Sequence, residues 1–258
     1  MAKGCYASAR QKTRGRSPCR RAWILTLSSK KINKTRKYGI LPAVIYLSPS
    51  TESARWNLCP NASEGCSACC LGHSSGRMVM PTHKACRIRR TEFFMEYRAH
   101  FLAQLRHELS LLVGRAKRKG LRPAVRLNGS SDVPWETIAP EIIGSFPQVK
   151  FYDYTKNVQR MHRFLARRQA GCGWPLNYYL TFSRSEDNEA DCFRILELGG
   201  TVAVVFDRAP KTWYGARVID GDRHDARFFD RPGVVIGLSA KGKARKDSSG
   251  FVVRERMA

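Results

Sequence analysis

The chain has 258 residues, 43% of them hydrophobic, and its 46 Lys and Arg against 21 Asp and Glu leave a formal charge of +25. That length allows one large domain or two small ones with a sizeable core. No run of about 18 apolar residues exists, which excludes a membrane-spanning helix, and so large a positive surplus speaks to an anionic partner, nucleic acid first, rather than to fold.

The first acidic residue is Glu52, while Lys and Arg recur from Lys3 to Lys37. A one-sign block of this kind reads as a disordered interaction arm. Residues 1–38 are therefore expected to form a basic tail and residues 39–258 a single β/α domain, with order setting in near "AWILTL" or at "GILPAVIYLSPS". No apolar run follows the N-terminal charges, so a secretory signal is not expected. A cytoplasmic setting with reduced thiols is the corresponding expectation.

"PAVIYLS" reads as the first long strand, and a cysteine-rich loop over residues 57–86 follows it. From 84 to 119, Ile88, Phe94, Tyr97, Phe101, Leu105, Leu109 and Leu112 recur at spacings of three and four, which predicts a long helix stopped by Gly120. "PAVRLNG" then reads as a strand and "VPWETIAPEIIGSF" as a helix that Pro140 shortens or breaks. "VKFYDYTK", "NYYLTFSR" and "TVAVVFD" read as strands, alternating with helices at "VQRMHRFLARRQ" and "NEADCFRILELGG". "ARVID" and "GVVIGLSAKG" are further strands. The alternation predicts βαβ units and a parallel sheet of about seven strands. Doubly wound sheets and β/α barrels share this pattern; the expected fold is a partial (β/α) TIM-like barrel with parallel strands.

Five successive strands end in polar groups. Asn128, Ser130 and Asp132 follow "AVRL"; Asp153, Thr155, Lys156 and Asn157 follow "VKFY"; Ser183, Arg184, Glu186 and Asn188 follow "YYLTF". Asp207 follows "VAVVF", and Asp220, Asp222, His224 and Asp225 follow "RVI". Any one of them has an ordinary explanation as a helix cap or turn residue. Together they mark the C-terminal ends of parallel strands, where α/β folds place their sites. Asp132, Asp153, Lys156 and Glu186 are the candidate catalytic groups, and Ser183 is a candidate cofactor contact.

In "NLCPNASEGCSACC" four of the nine cysteines fall within twelve residues, on the same strand-end face. Consecutive side chains diverge, so adjacent cysteines rarely share one metal. The expected ligands are Cys59, Cys66 and either Cys69 or Cys70. Three thiolates with an open position suit an iron–sulfur cluster; a fourth ligand from His73, His83 or Cys86 would suit structural zinc. Buried or incidental thiols are the plain alternative, and Cys172 and Cys192 are expected in the core.

"NKTRKYGILPAVIYLSPSTESARWNLCP", "GCSACC", "RLNGSSDVPWE", "FYDYTKN", "LTFSRSEDN" and "GLSAKGKAR" resemble the phage gene product 88 family, over roughly residues 30–252. The family's Cys–x6–Cys–x3–Cys pattern falls on Cys59, Cys66 and Cys70 and leaves Cys69 dispensable. The resemblance implies a phage protein in the cytoplasm of a host cell. A more distant similarity is to radical S-adenosylmethionine enzymes, which carry three cysteines in the loop after the first strand. Their usual spacing, Cys–x3–Cys–x2–Cys, is not the one found here. That similarity implies a four-iron four-sulfur cluster and S-adenosylmethionine, with Asn128, Ser130 and Asp132 beside its methionyl end.

Charge adds "RIRR", "RAKRKGLR" and "KGKARK" as basic patches. Trp135, Tyr152, Tyr154, Trp174, Tyr178 and Tyr179 lie near charges and are candidates for base stacking, though most are expected in the core. Three functions fit. The first is an iron–sulfur enzyme, radical S-adenosylmethionine-like, that modifies a nucleotide or a nucleic-acid base, DNA ahead of RNA. The second is a non-redox glycosylase or base-exchange transglycosylase in which Asp132, Asp153 or Asp207 acts on the sugar and the cysteines hold zinc. The third is a non-catalytic DNA-binding protein. The feature order of strand, clustered cysteines, long helix and polar strand ends favours the first.

Overall fold

The computed structural model describes residues 23–27, 30–74 and 76–254. Residues 1–22 of the expected basic tail lie outside the described residues. The rest of that segment joins the fold. Ile24, Leu25 and Ile32 are buried, and the backbone N–H groups of Ile24 and Leu25 donate to the Glu108 carboxylate at 2.9 and 2.7 Å. Packing therefore begins before residue 39.

Among the described residues nine strands form one sheet in the order β1-β2-β3-β4-β5-β6-β9-β8-β7. The seven strands read from the sequence are β2 (Ile40–Ile45), β3 (Arg122–Arg126), β4 (Lys150–Thr155), β5 (Tyr178–Ser183), β6 (Val202–Phe206), β8 (Ala216–Asp220) and β9 (Val235–Ser239). β2 to β6 lie side by side in chain order and run parallel. β9 continues them beside β6, and β8 lies parallel to β9. The two-residue strands β1 (Leu25–Thr26) and β7 (Thr212–Trp213) pair antiparallel at the edges. The sheet is open; it does not close into a barrel.

The short helices are α1 (Lys30–Asn33), α2 (Glu64–Ala68) and α3 (Leu71–Ser74). The long helix expected over 84–119 is two helices, α4 (Pro81–Glu96) and α5 (Arg98–Arg118), because Tyr97 leaves helical geometry at φ −127° and ψ 48°. The break lets Phe93, Phe94 and Phe101 converge, with Phe94 and Phe101 against Trp135. Pro140 also acts as expected: α6 (Trp135–Ile138) ends before it and α7 (Pro140–Ser145) begins on it, since its ring cannot sit inside a helix. α8 (Val158–Gln169) starts at Asn157, whose side chain accepts from the Arg160 N–H. α9 (Glu189–Glu197) precedes β6.

Successive parallel strands joined by right-handed crossovers put their helices on one face. The main core follows that rule: Phe151, Tyr178, Phe182 and Val204 pack with Phe101, Met161 and Ile195. The other face is covered by the 221–231 loop, through Phe228 on Tyr152 and Tyr179. Asp225 is fully buried there, held by Arg126 and the hydroxyls of Tyr152 and Tyr154.

Candidate functional site

The ends of β2 and β3 meet at Gly129. Its N–H donates to the Ile45 carbonyl at 2.8 Å, and a Cβ there would lie 2.6 Å from that oxygen and 2.5 Å from Val44 Cγ1. Only glycine allows so close an approach. The next residue benefits: Ser130 Oγ donates to the Leu47 carbonyl at 2.5 Å, and the Ser130 carbonyl accepts from the Cys59 thiol at 3.7 Å.

α2 carries Cys66, and two residues fix it. Ser63 caps the helix by accepting from the Cys66 N–H at 3.1 Å. Glu186, beyond β5, accepts from Ser63 Oγ at 2.8 Å and from the Gly65 N–H at 2.7 Å. Glu186 thus anchors the cysteine loop to the strand ends.

The thiols of this loop share one electrostatic neighbourhood. Burial pushes Cys59 up to about 12, and Cys70, Asp132 and Cys66 add to the rise. Burial also raises Cys66; the Lys156 ammonium opposes it, and Glu186 and Asp132 reinforce it. Cys69 also feels Cys66 and Glu186, but its thiol is engaged elsewhere. It is buried with Ala244 and Val252, its thiol donates to Asp247 Oδ1 at 3.5 Å, and burial raises it to about 11. Among the described residues no three His, Cys, Asp or Glu side chains close on a point that could hold a single metal ion. The expected zinc alternatives His83 and Cys86 lie on α4 and join no such group; the His73 side chain lies outside the described residues.

The remaining candidates divide by depth. Lys156 faces the mouth, donating from Nζ to Ser183 Oγ at 3.1 Å and to the Arg184 carbonyl at 3.1 Å, with the Phe251 ring 5.3 Å away. Asp132 accepts from Thr155 Oγ1, the Lys156 N–H and Arg160 Nη1 at 2.9–3.0 Å. Asp153 is fully buried beneath the mouth, accepting from the Asn128 N–H at 2.6 Å, Asn128 Nδ2 at 3.0 Å and the Tyr178 hydroxyl at 2.7 Å. Burial pushes it up to about 7, against the pull of Arg160. Asn128 is spent on the same scaffold, its Oδ1 accepting from Ser131 Oγ and the Val133 N–H. Asp207 lies 3.8 Å from Arg254, and Asp222 pairs with Lys241.

Sequence reasoning missed two parts. Arg160 is a buried hub, ion-paired to Asp132 at 2.9 Å and to Glu136 at 2.7 Å; its place in "VQRMHR" looks like any solvated helix charge. The 247–253 segment flanks the cysteine loop through Asp247 and through Arg184, which donates to the Gly250 and Phe251 carbonyls at 2.5 and 3.0 Å. The turn formers in "KDSSGF" were its one signal.

Fold and site together define a mixed α/β protein, helices on one face of an open sheet, with thiols and a lysine at the C-terminal ends of its parallel strands. Residues 23–255 match the gene product 88 family, and the chain belongs to that family. No curated protein and no solved structure matches it. Among the described residues no helix is long and apolar enough to cross a membrane.

Proposed function

We propose that the strand-end site holds an iron–sulfur cluster through Cys59, Cys66 and Cys70, and that the protein is a radical S-adenosylmethionine-like enzyme modifying a nucleotide or a nucleic-acid base. The observation that carries this reading is the division of the cysteines. Cys59 senses Cys66 and Cys70, and Cys66 senses the lysine and acids at the mouth; Cys69 also senses Cys66 and Glu186, but its thiol is bonded to Asp247. Three thiols with one position left open suit an iron–sulfur cluster, and iron content distinguishes it from zinc. The unbroken order β2 to β6 lines up five parallel strand ends beside the cysteine loop.

When bound, such a cluster supplies one-electron chemistry, and the protein binds and orients around it. Lys156 offers a cation to a carboxylate or phosphate at the mouth, steadied by Ser183. Ser130 holds the Cys59 side of the loop and Glu186 the Cys66 side. Asp153 and Asn128 support these positions from below. The glycosylase reading has less support, because Asp132 is ion-paired and Asp153 is sealed from substrate.

Electron paramagnetic resonance of anaerobically reconstituted, reduced protein tests the reading. A cluster signal that changes shape when S-adenosylmethionine is added is the expected result. A protein that takes up no iron under these conditions overturns it.

A further inference from the structure

At the opposite ends of the same strands lies a second surface made of cations and aromatic rings. β3 starts with Arg122 and β4 with Lys150, and Tyr179 stands one residue into β5. The strand register sets them on one face of the sheet, each two residues further along than the last, with Ile40 beside Arg122, Ala124 beside Lys150 and Tyr152 beside Tyr179. Lys150 Nζ lies 5.6 Å and the Arg168 guanidinium 4.8 Å from the Tyr179 ring. Phe228 follows at 5.8 Å from Tyr179, then Phe229 at 4.7 Å from Phe228, with the Arg122 guanidinium 5.6 Å from Phe229. Tyr38 continues the series at 6.4 Å from Phe229, flanked by Lys37 at 5.3 Å and Arg223 at 5.9 Å.

Among the described residues none of Lys37, Arg122, Lys150, Arg168 and Arg223 is ion-paired. The acids of the neighbouring loop are already taken: Asp222 pairs with Lys241, Asp225 with Arg126 and Asp230 with Arg227. Five uncompensated cations on one surface repel one another unless an anion joins them. Phe229 is 40% exposed, which is unusual for a ring that could pack inward and leaves a face open. Cations interleaved with aromatic rings, one of them exposed, match one polyanion in particular, a single strand whose bases are free to stack.

We propose that this surface, at the strand starts and remote from the cysteine mouth, binds single-stranded nucleic acid, with Arg122, Lys150 and Arg168 on phosphates and Phe229 as the stacking face. It does not rest on the chemistry assigned to the cysteines, and its test needs no metal. The test is fluorescence anisotropy of the full chain with a labelled mixed-sequence single-stranded DNA over a range of salt. The triple variant Arg122→Gln, Lys150→Gln, Arg168→Gln should weaken binding about tenfold or more. It should also lower the log–log salt slope by about 2, since each neutralised phosphate of a single strand adds roughly 0.7 to that slope. A control with the same charge change on the exposed β7–β8 edge, Arg208→Gln, Lys211→Gln, Arg217→Gln, should weaken binding far less. Phe229→Ala, at an exposed position, should weaken single-strand binding and leave duplex binding unchanged. Equal weakening in the triple variant and the control would overturn the proposal. So would oligonucleotide binding that survives the triple variant, including the case where only binding to anionic lipid vesicles disappears.

Discussion

Asp153 and Arg160 are ionisable groups set almost wholly out of water, and their partners decide what each does. Asp153 is held by three donors yet raised to about 7, because the cost of burying its charge exceeds what those donors return. Its ordinary value is 3.8, so the native state holds a proton there that the unfolded chain has released. The resulting stability is full below about pH 4 and is lost as pH rises through about 7. Urea midpoints should therefore fall between pH 5 and pH 8, and Asp153→Asn should flatten that fall; an unchanged slope in the variant would show that other groups cause it. Arg160 neutralises Asp132 and Glu136 in a dry setting. Arg160→Met keeps volume but strands both carboxylates, and should cost about 3–5 kcal/mol of unfolding free energy by urea denaturation. The sequence showed that Asp132 and Asp153 were unusual in number and position. It could not show that one lies beneath the other, because burial is set by α8 and α6, whose packing is remote in the chain.

Gly129 shows how much of an element's placement hangs on one residue. "RLNGSSD" reads as a polar strand end, and the absence of a side chain lets β3 close on β2 so that Ser130 reaches Leu47. Gly129→Ala should destabilise by about 1–3 kcal/mol, as overpacking against backbone does, and loosen the Cys59 loop. Hydrogen exchange over residues 57–66 should rise more than exchange in α8; uniform change across the chain would contradict this. All seven strands and the helices after them were legible, since buried parallel strands and one-sided helices leave clear periods. The break at Tyr97 was not, because the apolar spacing runs through it and only the packing of Phe94 and Phe101 on Trp135 demands it. β1 and β7 are two residues each, too short to leave a period.

Across the whole molecule, one sheet separates two chemically different ends. The C-terminal ends gather thiols, Lys156 and the anchoring Glu186; the strand starts gather cations and rings. Composition gave a large positive surplus but not where it gathers, because net charge carries no position. The partial barrel expected from strand–helix alternation is an open sheet in which the chain doubles back after β6, placing β9 ahead of β8 and β7. That reversal is invisible to a count of strands. Adjacency argued that Cys69 and Cys70 would not both serve one metal, but it could not show that Cys69 bonds to Asp247, which a distant segment supplies.

Iron and acid-labile sulfide per chain, measured after anaerobic reconstitution of the wild type and of single cysteine variants, test this most directly. About four of each are expected in the wild type for one four-iron cluster. Cys59→Ala, Cys66→Ala and Cys70→Ala should each lose most of it, and Cys69→Ala should keep it. Iron-free wild type, or a Cys69→Ala variant as depleted as the other three, would contradict the assignment.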